Sequence, residues 1–487
     1  MLPRARDPWE RSRSTQRLTR RGPVQPSGYR STNFSGGEDA CVQALFRSRL
    51  AKSCGRVLGG HAVALVRVLL IPFYFPPAGG GGVQRPLKLA EHLAGFGFET
   101  HVLAPTDPRW LHRDLGLAVA SGVCVHRAPF VGPRGRLPAE ELYGTRGFDR
   151  LAKRLALTPR RLLVPDECVT WATTAVPRAA AIVRRYRIDV VVTTSPPASV
   201  HLIGAAVRRV THARWVADIR DALVANPNRG VERMAARLKE RTQWPVAHLV
   251  AERADAVVAV TETIASEMHA LGRTGAVVVI ANGADFDEYE ELGHQPGPRL
   301  RITHTGSFFG LRDTRPFLAA LAGTEAEVVA RFVGDFRRAD VDWARELGLG
   351  KRLELISFVP RARALELQRD SEVLLLLLAD AGGRGRDVPS GKLYEYLAAR
   401  RPILAVVPPD GSAAELVHRA GAGIVVAPED TDGIRAAITS LHRHWRLEGL
   451  PDVELPGDLR ASLSRYTRNQ EYAALLETIH LNGGGHG

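Results

Sequence analysis

The sequence predicts an α/β fold built from two modules, each a parallel sheet covered by helices. Three observations predict it. Buried-strand patterns alternate with amphipathic helical patterns from about Val66 to Val426. Several strands end in small, polar or glycine-bearing turns, the edge at which open α/β sheets bind their ligands. The alternation also breaks once, over the polar stretch 288–298, and then restarts.

The first module opens with a strand over 68–75, a Pro/Gly loop over 76–82 and a helix over 83–96 whose apolar positions are Leu87, Leu89, Ala90 and Leu93. A strand over 99–103 completes this β-loop-α-β unit. Strands follow over 187–194, 214–217, 256–260 and 277–280, with a helix over 199–210. Residues 132–161 read as basic and irregular, with an amphipathic piece over 148–163. The second module repeats the pattern with strands over 300–304, 327–333, 353–358, 373–378, 403–407 and 422–426. Its helices are expected over 315–321, 361–370 and 412–420, with one more opening at Ser390. Terminal helices are expected over 431–444 and 460–479. The predicted organisation is an extension (1–65), a first domain (66–292), a second (293–435), helices returning to the first (436–480) and a tail (481–487).

Composition narrows the function. With 45% hydrophobic and 24% charged residues the chain is globular, and its 487 residues can bury large cores. The net charge of +14 suggests nucleic acid until it is located. Residues 1–60 carry eleven Arg and Lys52 against four acidic residues, so +8 of the +14 lies there and only +6 elsewhere. Without zinc-finger spacing or an aromatic-basic signature, nucleic-acid binding is a poor reading. The first sixty residues, rich in Arg, Ser, Gly and Pro, are expected to be disordered or to reflect a start assigned too far upstream. No apolar run reaches membrane-span length. Cys41, Cys54, Cys124 and Cys168 show neither metal spacing nor disulfide density, so reduced cytoplasmic thiols are expected. His126 and His304 lie at strand tips without a Ser, Cys or His partner at a meaningful spacing, so neither a nucleophilic triad nor a metal site is expected.

The most informative stretch is DVPSGKLYEYLAARRPIL, 387–404. A Ser-Gly pair opening a helix presents unpaired N–H groups, and the helix dipole adds positive potential, so the spot suits phosphate. Lys392 adds a full charge in the first turn, and Glu395 lies one turn deeper on the same face, where a carboxylate accepts hydroxyls. Phosphate donors and a hydroxyl acceptor one turn apart describe a nucleotide site; an ordinary solvated helix face is the competing account. A Walker loop is excluded, because Arg386 stands where its first Gly belongs and Leu393 follows the Lys.

Other strand ends join this one. The four glycines 79–82 allow close backbone approach to a ligand, although a plain flexible turn would look alike. They are not a dinucleotide fingerprint, since Gln84 occupies the third Gly position and no acid ends the second strand. Thr193, Thr194 and Ser195 end one strand, and Asp218, Ile219, Arg220 and Asp221 end another. Thr305, Gly306 and Ser307, followed by Arg312 and Asp313, form a further candidate anion loop. In so Arg-rich a chain, surface roles for Arg312 and for the 218–221 turn compete with these readings. A structural turn accounts best for Val333, Gly334 and Asp335.

Taken together, FYFPPAGGGGVQRPLKLAEHLAGFGFETHVLAP, VVVTTSPPASVHLIG, WVADIRDAL, ITHTGSFFGLRDTRPFL and PSGKLYEYLAARRPILAV resemble a GT-B glycosyltransferase of the family 4 group, from about Val66 to Glu477. The resemblance implies two Rossmann-like domains facing across a cleft, with a C-terminal helix crossing back to the first. The second domain would bind a nucleotide sugar, with UDP and GDP both fitting, and the first an acceptor. Transfer would retain anomeric configuration and need no metal or other cofactor. Arg312 and Lys392 would correspond to the family's basic pair on the diphosphate, and Glu395 to the ribose ligand. The family's first acid falls on Asp387, where Glu is usual, so Asp380 is an alternative. The family's histidine in the first domain has no clear counterpart; Asp218 or Asp221 stands in that region. Donor contacts are expected from Gly81, Gly82, Gly306, Ser307, Ser390, Gly391 and Glu395, and acceptor contacts from Gln84, Arg85, Ser195 and Arg220.

The implied activity is sugar transfer to a glycan or lipid-linked acceptor in cell-envelope or exopolysaccharide assembly. It would be cytoplasmic, with the basic segment 150–161 resting on an anionic membrane surface or simply solvated. A nucleotide-sugar epimerase of the same fold and a non-catalytic nucleotide-sugar-binding subunit are the alternatives.

Overall fold

The computed structural model describes residues 65–107, 112–132, 148, 163–224, 226, 234–308, 312–387 and 390–483. The chain divides into two compact units, 1–59 and 60–487, and every described residue belongs to the second. The expectations for residues 1–64, for most of 148–163 and for 484–487 lie outside the described residues.

Two all-parallel sheets form the frame. The first contains β1 (Arg67–Pro72), β2 (Glu99–Pro105), β3 (Val123–Ala128), β4 (Val190–Thr194), β5 (Arg214–Ile219), β6 (Ala256–Ala259) and β7 (Val277–Val279). Their spatial order is β3-β2-β1-β4-β5-β6-β7. The second contains β8 (Leu300–Thr305), β9 (Val328–Val333), β10 (Leu353–Ile356), β11 (Val373–Leu377), β12 (Ile403–Val406) and β13 (Gly423–Val426), ordered β10-β9-β8-β11-β12-β13. Each sheet therefore reverses its winding once, between β1 and β4 and between β8 and β11.

The first sheet's helices are α1 (Gln84–Gly95), α2 (Ala172–Tyr186), α3 (Val200–Val210), α4 (Met234–Arg241), α5 (Trp244–Arg253) and α6 (Glu262–Ala270). Those around the second are α7 (Arg315–Ala322), α8 (Arg338–Glu346), α9 (Arg361–Arg369), α10 (Gly391–Ala398), α11 (Ser412–Arg419) and α12 (Thr431–Glu448). Two more close the chain: α13 (Gly457–Leu463) and α14 (Arg465–Gly483).

Burial on both faces explains why the central strands read as continuous apolar runs. In β11, alternate side chains feed opposite cores: Val373, Leu375 and Leu377 pack with α7 and α12, while Leu374 and Leu376 pack with α10 and α11. In the first sheet, Leu69, Ile71 and Val191 pack beneath α2 and α3. α14 lies on the other side, against α1, where Asn469 Nδ2 is 2.7 Å from His92 Nδ1.

Three differences from expectation have physical causes. β3, with sequence VCVHRA, is an edge strand whose polar positions hide the strand pattern. α2 carries Pro177 inside it, a helix-breaking signal that packing of Ala175, Ala179, Ile182 and Val183 overrides. The expected helix over 460–479 is two helices, broken at Ser464, where the extended backbone lets Leu463 O accept from Ala284 N while Arg465 N donates to Ala284 O.

Gly204 lies inside α3, where glycine weakens a helix. A Cβ there would stand 2.2 Å from Trp215 Nε1, which donates to Thr193 Oγ1 at 2.8 Å. The glycine permits α3 to press onto the fully buried Trp215. Gly204→Ala is therefore expected to lower stability by about 1–3 kcal/mol, the range for overpacked cores. Urea unfolding should show a lower midpoint at unchanged slope; an unaltered midpoint would refute the account.

Candidate active site in the cleft between the sheets

The two winding reversals place strand ends where an open parallel sheet has its crevice. At the first lie the glycine loop after β1 and Ser195 after β4; at the second lie Gly306 after β8 and the loop leading from β11 to α10. These edges meet across a cleft. His112 Nε2 is 2.7 Å from Asp335 Oδ2, the His112 and Phe358 rings stack at 4.1 Å, and Asp114 Oδ2 accepts from Arg361 N at 2.7 Å. A Cβ on Gly79 would stand 2.8 Å from the Phe358 ring, so the glycine loop sits directly against the second module. Gly80 and Gly81 are exposed.

The second module's crevice is cationic. Ser390 caps α10, its Oγ accepting from Lys392 N at 3.4 Å. Lys392 then runs under the β8 turn: at Gly306, with φ of +104°, a Cβ would lie 2.9 Å from Nζ and 2.6 Å from Cε. Gly306 is thus required twice, by its backbone and by its neighbour. Burial, together with the nearby Arg312 and despite Glu395, pulls the Lys392 ammonium down to about 7. Among the described residues no carboxylate comes within ion-pair distance of it. Burial also lowers Arg312, which Asp221 of the first module partly offsets from across the cleft. Beneath them the buried His304 pairs Nδ1 with Leu375 O at 2.9 Å and stacks on Phe308; burial and Lys392 hold it neutral.

Glu395 lies one turn into α10 and belongs to a chain of charges. Arg361 Nη1 donates to Glu395 Oε1 at 2.8 Å and its Nη2 to Glu288 Oε2 at 2.5 Å, and Lys88 of α1 lies 3.4 Å from Glu288 Oε1. Burial opposes the Arg361 charge, but Glu395 and Glu288 outweigh it and hold the guanidinium above its usual value. Gln368 Nε2 approaches Glu395 Oε2 at 3.4 Å and also donates to Thr305 Oγ1 at 2.9 Å, while Tyr396 OH accepts from Thr305 N at 3.0 Å. A carboxylate has about four acceptor sites, so Glu395 retains capacity for two hydroxyl donors.

The first module corrects part of the expected site. Asp218 is 1% exposed; Arg85 Nη2 and Nε reach its two oxygens at 2.9 and 3.3 Å, and Thr194 Oγ1 donates to it at 2.6 Å. Arg85 also donates to Ile280 O and Ala281 O. Both groups are consumed tying α1 to the sheet, so neither is placed to meet an acceptor. Ser195 is buried, with its N–H on Asp218 O, and Gln84 is buried at the start of α1. Arg220 holds two loops together, donating to Ser195 O at 2.5 Å and Gly82 O at 2.9 Å. Asp221, partly exposed, is the member of the 218–221 turn that faces the cleft cations.

The two candidates for the first acid separate. Asp380 folds onto its own loop, accepting from Arg386 Nε at 2.9 Å and Gly383 N at 3.0 Å. Asp387 is exposed and makes no ion pair among the described residues. Ser307 Oγ donates to Asp335 Oδ2 at 3.0 Å, so the 333–335 turn, read from sequence as structural, joins the site's wall. Arg361, Glu288, His112 and Asp114 were not anticipated; their long-range pairing leaves no local pattern. A Cβ on Gly334, which has φ of +121°, would stand 2.9 Å from Gly306 C, so the 333–335 turn packs directly on the β8 turn.

Residues 80–283 match the family described as glycosyl transferase 4-like domain. No curated protein sequence matches the chain. Among solved structures the chain resembles sucrose-phosphate synthase from Thermosynechococcus elongatus (17% identity, TM-score 0.57, covering 86% of this chain and 97% of that one). It also resembles a glycosyltransferase from Rickettsia africae (12%, 0.54, 86% and 99%). A third likeness is to a UDP-forming α,α-trehalose-phosphate synthase from Burkholderia xenovorans in complex with glucose-6-phosphate (14%, 0.51, 86% and 99%). At these identities the structural likeness establishes the fold, which is GT-B.

A ligand that prefers charged Lys392 must draw a proton from solvent at any pH above about 7. Calorimetry of UDP binding at pH 8, where the nucleotide's phosphates are already ionised, should show uptake of up to one proton when buffers of different ionisation enthalpy are compared. Affinity should weaken by up to about tenfold per pH unit above 7. Lys392→Ala should abolish the uptake; its persistence there would show that another group titrates.

Proposed function

We propose that this GT-B glycosyltransferase transfers a hexosyl or N-acetylhexosaminyl group from a nucleoside diphosphate sugar, with retention, to a glycan or lipid-linked acceptor of the cell envelope or an exopolysaccharide. The observation that carries the reading is the pair of cations, Lys392 and Arg312, beside the start of α10, with no carboxylate paired to Lys392 among the described residues.

Such a helix start, with two cations beside it, suits an anion. On this reading the diphosphate lies on the N–H groups after Ser390, between Lys392 and Arg312, and the ribose hydroxyls donate to Glu395, held in place by Arg361. As the anomeric C–O bond breaks, its electron pair passes to the diphosphate, and the two side chains neutralise the growing charge. The acceptor oxygen attacks the same face of the sugar, and its proton goes to the departing phosphate oxygen. The charge needed at the leaving group comes from side chains, so the transfer step itself is written without a metal. Asp387, exposed at the rim, is the acid available to the sugar; Gly81 and Gly82 of the first module approach the donor, and Asp221 faces the two cations. The UDP-forming neighbour makes UDP-sugars the first donors to test.

No helix among the described residues is long and apolar enough to cross a membrane. We place the enzyme in the cytoplasm, reaching lipid-linked acceptors from the membrane surface. Sedimentation with anionic vesicles tests that placement, and binding indifferent to anionic lipid would remove it.

A thermal-shift screen against nucleotide sugars, followed by turnover with the stabilising donor, tests the assignment. Lys392→Ala should keep the melting profile of the free protein and lose about 10²–10³ in kcat, as removal of one transition-state donor does. Near-normal turnover in that variant, or sugar release that needs no acceptor, would overturn the proposal.

A further inference from the structure

At the edge of the first sheet, away from the cleft, two strands collect metal-type donors on one face. Side chains alternate along a strand, so Glu99 and His101 of β2 share a face with Cys124 and His126 of β3, where His101 registers with Cys124. His101 Nδ1 lies 3.0 Å from His126 Nε2, and Cys124 Sγ lies 3.7 Å from that same nitrogen. One donor atom from each of the three residues falls within 4.8 Å of the others. Glu99 Oε1 is 3.0 Å from His101 Nε2, on the ring's far side. Tyr186 of α2 covers both rings, with centroids 4.5 Å from His101 and 5.4 Å from His126. The histidines are buried and Cys124 is exposed, which leaves an entry path. The expectation that His126 has no Cys or His partner is thus corrected: the C-x-H pair meets its third member from a neighbouring strand.

We propose that His101, Cys124 and His126 bind a borderline divalent metal ion, zinc(II) in the first instance, with Glu99 fixing the His101 tautomer from outside. Around tetrahedral zinc, two ligand nitrogens lie about 3.4 Å apart and nitrogen and sulfur about 3.6 Å apart. The observed 3.0 and 3.7 Å need shifts of a few tenths of an ångström, and the Cys124–His101 pair, within 4.8 Å, closes by up to about 1.2 Å through rotation of the exposed Cys124 side chain. Two imidazoles and a thiolate are the ligand types that select zinc over magnesium or calcium. A carboxylate on the second nitrogen of a ligating imidazole is the usual outer support. On binding, Cys124 releases its proton to solvent and no redox change occurs. Arg178 and Arg185 lie near enough to His126 to oppose positive charge there, and Arg67 shares Glu99 at 3.4 Å. The thiolate supplies the countercharge. The fourth position faces solvent beside Cys124, and the ion's role is to pin β3 to β2.

The test uses the full chain with Cys41 and Cys54 changed to Ser, retaining Cys124 and the buried Cys168. Titration with cobalt(II) should give a thiolate-to-metal charge-transfer band saturating at one equivalent and displaced by zinc(II). Zinc should also raise Tm. Cys124→Ser should abolish the band and the Tm rise and weaken zinc more than about tenfold against a chromogenic chelator, the lower end of what losing even an outer partner costs. His126→Gln should do the same, and metal-free melting curves verify that each variant folds. No band in the parent, or zinc affinity unchanged in both variants, would overturn the proposal and leave the histidines as a hydrogen-bonded brace.

Discussion

The half-buried guanidinium of Arg361 organises the cleft. It begins α9, its backbone N–H is held by Asp114 of the first module, and its side chain joins Glu288 of the linking segment to Glu395 beneath the start of α10. Removing one partner of a desolvated pair leaves the other uncompensated, which costs far more than a surface contact. The position of Glu395 therefore depends on residues from both sheets and from the segment between them. Through Glu288 the chain continues to Lys88 on α1, so the helix opened by the glycine loop connects to the same network.

Two kinds of charge meet in this cleft. Four of the acids are matched: Asp218 by Arg85, Glu395 and Glu288 by Arg361, Asp380 by Arg386. The cations at Lys392 and Arg312 are crowded together, and burial presses both toward neutrality. Pairing the acids around a helix start that carries concentrated positive charge gives that point a potential favourable to an anion.

Much of the fold was legible because central parallel strands, buried on both faces, are plain apolar runs such as β11, and because Pro402 and the Ser390-Gly391 pair mark the limits of α10. β3 showed only through His126, read as a strand tip, because an edge strand tolerates Cys and His; α2 escaped because Pro177 mimics a break. In the site, Lys392, Glu395, Gly306 and Ser390 could be found from local spacing along one helix and one turn. Arg85, Asp218 and Ser195 show the limit of that reasoning. A polar residue at a strand end looks the same in sequence whether it faces a ligand or is consumed by a partner more than a hundred residues away, as Arg85 is by Asp218. Arg361 was invisible for the same reason.

The contacts joining the two modules across the cleft are largely ionic or hydrogen-bonded: His112 with Asp335, Asp114 with Arg361, Lys88 with Glu288, and Arg384 with Glu240 at 3.4 Å. Among the described residues the stacked ring of Phe358 adds an apolar seam at the cleft, and Ala284, Phe286 and Tyr289 of the linking segment pack into the second module's core. The cleft-side seam parts without exposing much hydrocarbon, so opening the cleft about the linking segment carries little of the heat-capacity signature that opening an apolar interface would. The modules are held by forces that dissolved ions can screen and crowding barely alters, which makes ionic strength the natural control over how often the cleft admits a bulky acceptor.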